Sequence, residues 1–355
     1  MKLTTVAIVG TGVGIRTHLA GIKKCSRAIV VGVVGRSLER TRELLIAAGE
    51  NPQLAIEWET LLKTNPDIIC ITTPILEREN YYKTLHNYTG HLFVEKPVLT
   101  NIRDAKKIKS YIKLCYDQSY VDFQLRGLKA FQEIQSWISD GKIGKPYYRS
   151  MYERTGALRK RILPEWQCSY KTGGGQLFSM GSHLLDLSVF LLGITYDDMK
   201  KAKIQINTTI PRGEWTNIDI KAPSDEFCAI NARINNYYIE LKSSAIAVGD
   251  RTFNLLIEGN EGTIEFIYRC GKATCTLWSA GNEKIILYLN ENGELSDKKY
   301  ENLNPSIFRI AYPWYFENII SQIQTGEETA LASIQDGIMN TEILKNAETM
   351  KSYDV

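Results

Sequence analysis

Long hydrophobic runs, blocks of like charge and paired cysteines are all missing from this chain of 355 residues. No apolar stretch approaches the roughly 20 residues of a membrane span, so no membrane partner is expected. The formal charge is only +3, and its basic residues are scattered, which leaves no electrostatic footprint for nucleic acid. The seven cysteines include no C-x-x-C pair and read as reduced thiols filling the core in a reducing compartment. Met1 to Thr5 are not a charged stretch leading into an apolar leader, so the expected location is cytoplasmic. The four histidines, at positions 18, 86, 91 and 183, lie in different segments without Cys or His partners, and no metal site is expected. Nucleophile elbows and Walker-type loops are also absent, which removes two large hydrolase classes and leaves a small-molecule partner as the expectation.

What is present is a glycine-rich turn behind a short apolar strand, Val6-Ala-Ile-Val-Gly-Thr-Gly-Val-Gly-Ile-Arg-Thr-His18. Gly10 and Gly12 permit a tight turn and the close approach of a ligand, and the free N–H groups opening the next helix would hold a pyrophosphate. The third glycine of a G-x-G-x-x-G pattern would fall at position 15, where Ile15 stands and Gly14 precedes it. Ala28 to Val34 form a second buried strand that ends Gly35-Arg-Ser-Leu-Glu-Arg40. No carboxylate stands there to take the ribose hydroxyls of NAD, whereas Arg36, Ser37 and Arg40 suit the 2′-phosphate of NADP. The expected cofactor is therefore NADP, with NAD as the alternative.

Strand and helix patterns then alternate, with strands near Ala55 to Trp58, at Asp67 to Thr72, His91 to Val94 and Tyr120 to Phe123. Six strand candidates separated by helices predict an α/β fold with a doubly wound parallel sheet over residues 1–123. From 124 to 355 the style changes. Helices are expected at Leu128 to Ile138 and after Gly173-Gly-Gly175, a strand at Tyr147 to Tyr152, and seven more strands at Lys203 to Thr209, Glu226 to Ile234, Tyr237 to Ser243, Phe253 to Glu258, Thr263 to Tyr268, Ala273 to Trp278 and Lys284 to Leu289, several joined by Asn or Gly turns that favour antiparallel hairpins. Helical patterns at Tyr312 to Gln324 and Ile334 to Met350 close the chain.

Two places could carry chemistry. Lys96 lies just past a predicted parallel strand, at the sheet edge where ligands of this architecture bind, and Lys96-Pro97 is a candidate cis bond. A lysine there can stabilise an oxygen that loses its proton, although a solvated ammonium is the plainer reading. Ser179, His183 and Asp186 recur at helical spacing on an otherwise apolar helix. His183 could act as general base or acid, or be a core histidine with its hydrogen bonds satisfied. The loop from Arg154 to Lys171, with Arg159, Lys160 and Arg161, either forms part of a mouth for an anionic substrate or is a solvated loop.

Taken in order, Gly10-Thr-Gly12 with His18, Thr73-Pro74, Glu95-Lys96-Pro97, Asp140-Gly-Lys-Ile-Gly144, Gly173-Gly-Gly175 with Gly181-Ser-His183, Glu258-Gly-Asn-Glu-Gly-Thr263 and Asp336-Gly337 resemble the Gfo/Idh/MocA oxidoreductases across nearly the whole chain. The resemblance implies an N-terminal Rossmann domain and a C-terminal α+β domain with a large, mainly antiparallel open sheet. It also implies hydride transfer between a nicotinamide and a hydroxyl or carbonyl of a sugar, cyclitol or sugar derivative, and association as homodimers or homotetramers. On that basis Lys96 and His183 are the catalytic residues, joined by Ser179. The cofactor residues are Gly10, Gly12, Val13, Gly14, Ile15, Arg36, Ser37, Arg40, Thr73, Pro74, Glu95, Lys96 and Pro97. Lys96, Ser179, His183, Arg126 and Arg159 would meet the substrate. Ser179 replaces the family's usual Asp, Arg78 stands where a histidine is frequent, and Ile75 where a second proline is common. The Ser179 departure opens a second reading, a non-catalytic dinucleotide-binding regulator; a third is reduction of a C=N or conjugated double bond, as in biliverdin-reductase-like relatives.

Overall fold

Strand β1, Thr4–Val9, is the reason the glycine turn can be held rigidly. Val6, Ala7, Ile8 and Val9 are all fully buried, because the strand is covered on both faces. Val6 and Ile8 pack with Leu19, Ile22, Phe316 and Ile319, while Ala7 and Val9 pack with Leu61, Tyr82, Leu85 and Ile108 on the other side. The period of two in a strand explains why an unbroken apolar run is needed here. The computed structural model describes residues 2–99, 101–156, 158, 173–209, 225–281, 283–300, 303–304, 306–327 and 329–351.

The contacts divide the chain into two units, Met1–Gly127 with Tyr312–Ile338, and Leu128–Ala311 with Met339–Val355. In the first, β1 is joined by β2 (Ala28–Val34), β3 (Ile68–Ile71), β4 (His91–Val94) and β5 (Tyr120–Val121) in a parallel sheet of order β2-β1-β3-β4-β5. Helices α1 (Leu38–Ala47), α2 (Trp58–Thr64), α3 (Ile75–Tyr82) and α4 (Ala105–Tyr111) connect these strands. The order reverses beside β1, which opens a crevice at the carboxyl ends of β1 and β3. The sixth strand expected near Ala55 to Trp58 does not form. Ala55 makes a single bridge to Val33, and Trp58 already opens α2, so the sheet has five strands. At the other edge β5 is only two residues long, and it is capped by the returning segment: Val121 N–H donates to the Ala332 carbonyl at 2.9 Å, and Tyr315 Oη donates to the Val121 carbonyl at 2.7 Å.

Among the described residues of the second unit ten strands run in the order β14-β13-β12-β11-β10-β6-β9-β8-β7-β15, where β8 is Phe227–Ile234, β10 Thr252–Gly259, β11 Gly262–Arg269, β12 Lys272–Ser279, β13 Lys284–Leu289 and β14 Leu295–Ser296. Pairing is antiparallel except between β6 (Pro146–Arg154) and β9 (Tyr237–Ser244), and between β7 (Lys203–Thr209) and β15 (Glu348–Lys351). The last of these corrects an expected helix: α7, Ile334–Asn346, stops short, and the chain after it adds an edge strand. Helix α5, Lys129–Ser139, covers one face of the sheet, with Phe131 at 5.7 Å from Phe253 and 5.2 Å from Phe266. Helix α6, Ser182–Leu192, is almost wholly buried. Among the described residues no helix is long and apolar enough to cross a membrane, and Cys25, Cys70, Cys115, Cys228 and Cys275 are buried free thiols while Cys270 is an exposed one.

The glycine turn divides its labour. Gly10 has φ of +115°, and a Cβ there would sit 2.5 Å from Thr72 Oγ1. At Gly14 a Cβ would fall 2.7 Å from Thr72 Oγ1 and 2.8 Å from Ile8 Cγ2, so this residue lets the helix lie close on the sheet. Gly14 thus performs the packing task expected of position 15, and Ile15 is a core residue, 5 % exposed. Around Gly12 the Cβ direction is open, with nothing within 4 Å. Gly14→Ala should therefore destabilise the protein by about 1–3 kcal/mol in urea unfolding, while Gly12→Ala stays within about 0.5 kcal/mol. Equal losses at the two positions would contradict this assignment.

Candidate active site

The carboxyl edge of the first sheet is a row of residues tied strand to strand. Gly10 N–H donates to the Val34 carbonyl at 2.8 Å, Thr72 to Val9 at 2.7 Å, Glu95 to Ile71 at 3.0 Å and Asp122 to Val94 at 2.9 Å. Val13 leads into a π-helical turn, Gly14–Leu19, a wide geometry that recurs at functional sites and here turns His18 into the protein. A dinucleotide fits this edge on two observations: the open side of Gly12, and Thr73 Oγ1, buried without a hydrogen-bond partner among the described residues. Pro74 caps α3, directly beyond Thr73.

At the end of β2 the three basic-side candidates are placed on the surface. Arg36, whose side chain is 82 % exposed, bonds Glu77 at 3.1 Å; Arg40 bonds Glu43 at 2.6 Å; the Ser37 hydroxyl accepts from the Arg40 N–H at 3.2 Å as the cap of α1. Exposed pairs of this kind are weak and exchange readily for a phosphate.

Behind the edge lies a buried ion cluster. His18 Nε2 is 3.1 Å from Glu95 Oε1 and 3.3 Å from Asp122 Oδ2, with the ring and the Asp122 side chain fully buried. The ring centroid stands 5.3 Å from that of Phe93 and 4.8 Å from that of Tyr312. Burial opposes charge on the imidazole, but hydrogen bonds to Asp122, Cys70 and Glu95 outweigh it, and its pKa is raised well above the ordinary value. Burial and the Glu95 charge push the Asp122 carboxyl up to about 7. Burial also works against Glu95, yet His18, Lys96 and Arg78 together hold its pKa below the usual carboxylate range.

Lys96 follows Glu95, partly buried, and its bond to Pro97 is cis. Burial lowers the Lys96 pKa, Glu95 and Asp122 oppose that shift, and Arg78 adds to it. Arg78, only 5 % exposed, staples the whole edge. Its Nε donates to the Thr73 carbonyl at 2.9 Å, and Nη1 donates to the carbonyls of Glu95 and of Pro97, the latter at 2.6 Å. Five donors in a planar fork let one side chain bind carbonyls from two loops, which lysine or histidine could not reproduce. Arg126 is also buried, and its Nη1 donates to the Leu331 carbonyl at 3.1 Å.

In the second unit a further π-helical turn, Leu177–Gly181, carries Ser179 and runs into α6. Ser179 is exposed, and His183, one helical turn on, is 4 % exposed, with its ring centroid 5.1 Å from that of Phe308. Asp186 accepts from Tyr196 Oη at 2.7 Å; Asn340 Nδ2 donates to that Oη and to the Ser182 carbonyl, each at 3.0 Å. Asp186 therefore anchors the helix. Arg159, Lys160 and Arg161 lie outside the described residues. Lys96 belongs to the first unit and Ser179 and His183 to the second.

Sequence reasoning assigns roles to Lys96 and Glu95 and none to Asp122, Arg78 or Tyr312. Arg78 was visible as a departure at a strand-end loop; Asp122 was visible only as the residue after the last apolar strand pair.

Residues 4–118 match the model described as "Oxidoreductase family, NAD-binding Rossmann fold", and residues 131–265 match the Gfo/Idh/MocA C-terminal domain. D-glucoside 3-dehydrogenase of Escherichia coli is 25% identical over 82% of this chain and 80% of its own length. An uncharacterized oxidoreductase of Synechocystis is 23% identical over 53% of this chain, which spans about half (51%) of that relative. Among solved structures, a levoglucosan dehydrogenase in complex with NADH and L-sorbose is similar with a TM-score of 0.75 at 17% identity, covering 96% of this chain and 95% of that one. An NAD binding oxidoreductase from Klebsiella pneumoniae gives a TM-score of 0.76 at 17% identity, over 97% and 96%.

The ion cluster makes stability depend on pH. His18 and Asp122 both hold protons more tightly in the fold than in the unfolded chain, where they titrate near about 6.5 and 3.9. Stability from such groups is present at low pH and is lost as pH rises through the folded values. The melting temperature should fall between about pH 6 and 8, with a smaller slope in the His18→Gln/Asp122→Asn double variant. An unchanged slope would place the pH dependence elsewhere.

Proposed function

The chain belongs to the Gfo/Idh/MocA family of oxidoreductases, and from that premise we propose that it transfers hydride between a nicotinamide dinucleotide, NADP(H) by preference, and a hydroxyl or carbonyl carbon of a sugar or cyclitol. The observation that carries this reading is Lys96, set at the carboxyl edge of the parallel sheet among Glu95, Asp122 and Arg78. The glycine turn offers N–H groups and the open side of Gly12 for the pyrophosphate, and the end of β2, which bears Arg36, Ser37 and Arg40 and no carboxylate, supports the NADP preference. When bound, the nicotinamide supplies the hydride acceptor or donor.

In oxidation His183 takes the proton of the substrate hydroxyl, and Lys96 hydrogen-bonds the same oxygen and stabilises its negative charge while the carbon gives up hydride. Reduction runs the same steps backwards, with His183 protonating the new alkoxide. The exposed Ser179 hydroxyl adds a hydrogen bond to the substrate where a carboxylate partner is lacking. The named activities of the glucoside and levoglucosan dehydrogenases support a sugar-like substrate.

Lys96→Met should still bind NADPH saturably and lower turnover on the best substrate of a sugar and cyclitol panel by about 10²–10⁴-fold. Turnover at half the wild-type rate would overturn the role of Lys96. Ser179→Asp should lower turnover in a site adapted to serine; a large gain would instead mark a site that has lost its working carboxylate.

A further inference from the structure

A cavity of about 500 Å³ in the second unit is lined by Arg251, Cys270, Asn304, Ser306 and Arg309. Its walls come from two segments that the backbone holds together. Arg251 and Cys270 stand just outside the last pair of β10 and β11, Thr252 with Arg269, and the Cys270 N–H donates to the Arg251 carbonyl at 3.4 Å. The segment before the helix Ile307–Thr325 is fastened to the same strand ends. Leu303 N–H donates to the Gly271 carbonyl at 2.9 Å, and Tyr268 Oη donates to the Asn304 carbonyl.

The lining is basic. Arg251 Nη2 is 3.6 Å from Glu153 Oε1, and burial pushes that carboxyl up to about 7, so it neutralises the guanidinium only in part. Arg309 is exposed and has no ion pair among the described residues. Asp250, beside Arg251 in sequence, is already bound to Arg269 at 2.8 Å. The helix has no acidic residue in its first turn, so its own side chains leave the partial positive charge of its N-terminus unanswered. Two guanidiniums, a hydroxyl and a helix start are donors suited to an oxyanion, whereas a neutral sugar would leave two permanent cations uncompensated.

Two routes join the cavity to the turn that carries Ser179 and to His183 beyond it. Phe308, between Ser306 and Arg309 in sequence, sets its ring centroid 5.1 Å from that of His183. Glu153, which Arg251 meets, accepts from Ser243 Oγ at 2.8 Å, and that oxygen accepts from Gln176 Nε2 at 2.6 Å; Gln176 leads into the turn Leu177–Gly181. We propose that Arg251 and Arg309 form a subsite for an anionic group of the substrate, so that the sugar or cyclitol carries a phosphoryl or carboxylate group. This rests on the reading of the chain as a dehydrogenase of sugar-like compounds and narrows the substrate class.

Inorganic phosphate probes the subsite without turnover. Titrated by calorimetry into the full chain at low ionic strength, it should bind saturably, and Arg251→Met/Arg309→Met should weaken that binding by about 10–100-fold. Arg309→Met alone, which leaves the Glu153 contact in place, should already show part of the loss. Comparison with the variants separates this subsite from any phosphate held at the glycine turn. Turnover is then measured on matched triplets: a neutral sugar, its phosphate ester and its uronic acid. One charged member should exceed the neutral sugar in kcat/KM by about 10–100-fold, the ester marking a phosphoryl and the acid a carboxylate substrate, and the double variant should remove most of that margin through KM. Inorganic phosphate should inhibit competitively against the favoured member. Phosphate binding untouched by the double variant, a margin that the variant keeps, or noncompetitive inhibition, which would mark a site for a separate anion, would each overturn the proposal. Turnover of the neutral sugar alone overturns the subsite and spares the dehydrogenase reading; no turnover of any member beside intact phosphate binding overturns that reading, and the substrate assignment with it.

Discussion

A buried imidazole caught between two carboxylates is the interaction on which the first unit depends. Removing three ionisable groups from water costs several kcal/mol each, and the cost is recovered only when all are in place together. His18 comes from the turn after β1, Glu95 from the end of β4 and Asp122 from the end of β5, so the cluster exists only if three strands are in register. Arg78 then fixes the loops beyond β3 and β4 through three carbonyls. The result is an edge whose backbone is over-determined, as a site that must hold a reacting group within a fraction of an ångström requires.

The second unit solves a similar problem with a chain of hydrogen bonds around one carboxyl group. Asp186, Tyr196, Asn340 and the Ser182 carbonyl form a buried chain of hydrogen bonds that secures α6, leaving Ser179 exposed at the turn that precedes it. A polar stripe on an apolar helix thus has two ends with different work. The far end, Asp186, holds structure; the near end carries the exposed Ser179 and the buried His183.

How much of this was legible in advance depended on the range of the interactions. Period-two burial and turn residues placed most strands of the large sheet within a residue or two, and two of them, Lys203–Thr209 and Lys284–Leu289, at their observed bounds. Local pattern failed where long-range pairing decided. The stretch at Ala55 has strand-like residues but finds one partner pair before α2 begins, and the end of the chain reads as helix until its pairing with β7 is known. The return of Tyr312–Ile338 onto the first sheet could not be read from periodicity either. Lys96 and His183 are named by the family resemblance, position alone leaving each a plainer reading, while Asp122 is not named, because a single acid beside a strand has no meaning until His18 is brought to it from about a hundred residues away in sequence.

The account has one central claim, that the open glycine turn and the strand ends around it receive a nicotinamide dinucleotide. Fluorescence titration of the purified chain, stripped of copurified nucleotide, with NADPH and NADH tests it most directly when run beside Gly12→Val. Saturable binding in the wild type, tighter for NADPH and lost in a Gly12→Val variant that remains folded because its side chain points into open space, is the predicted result. Failure of the wild type to bind either nucleotide, or equal binding by Gly12→Val, would contradict it.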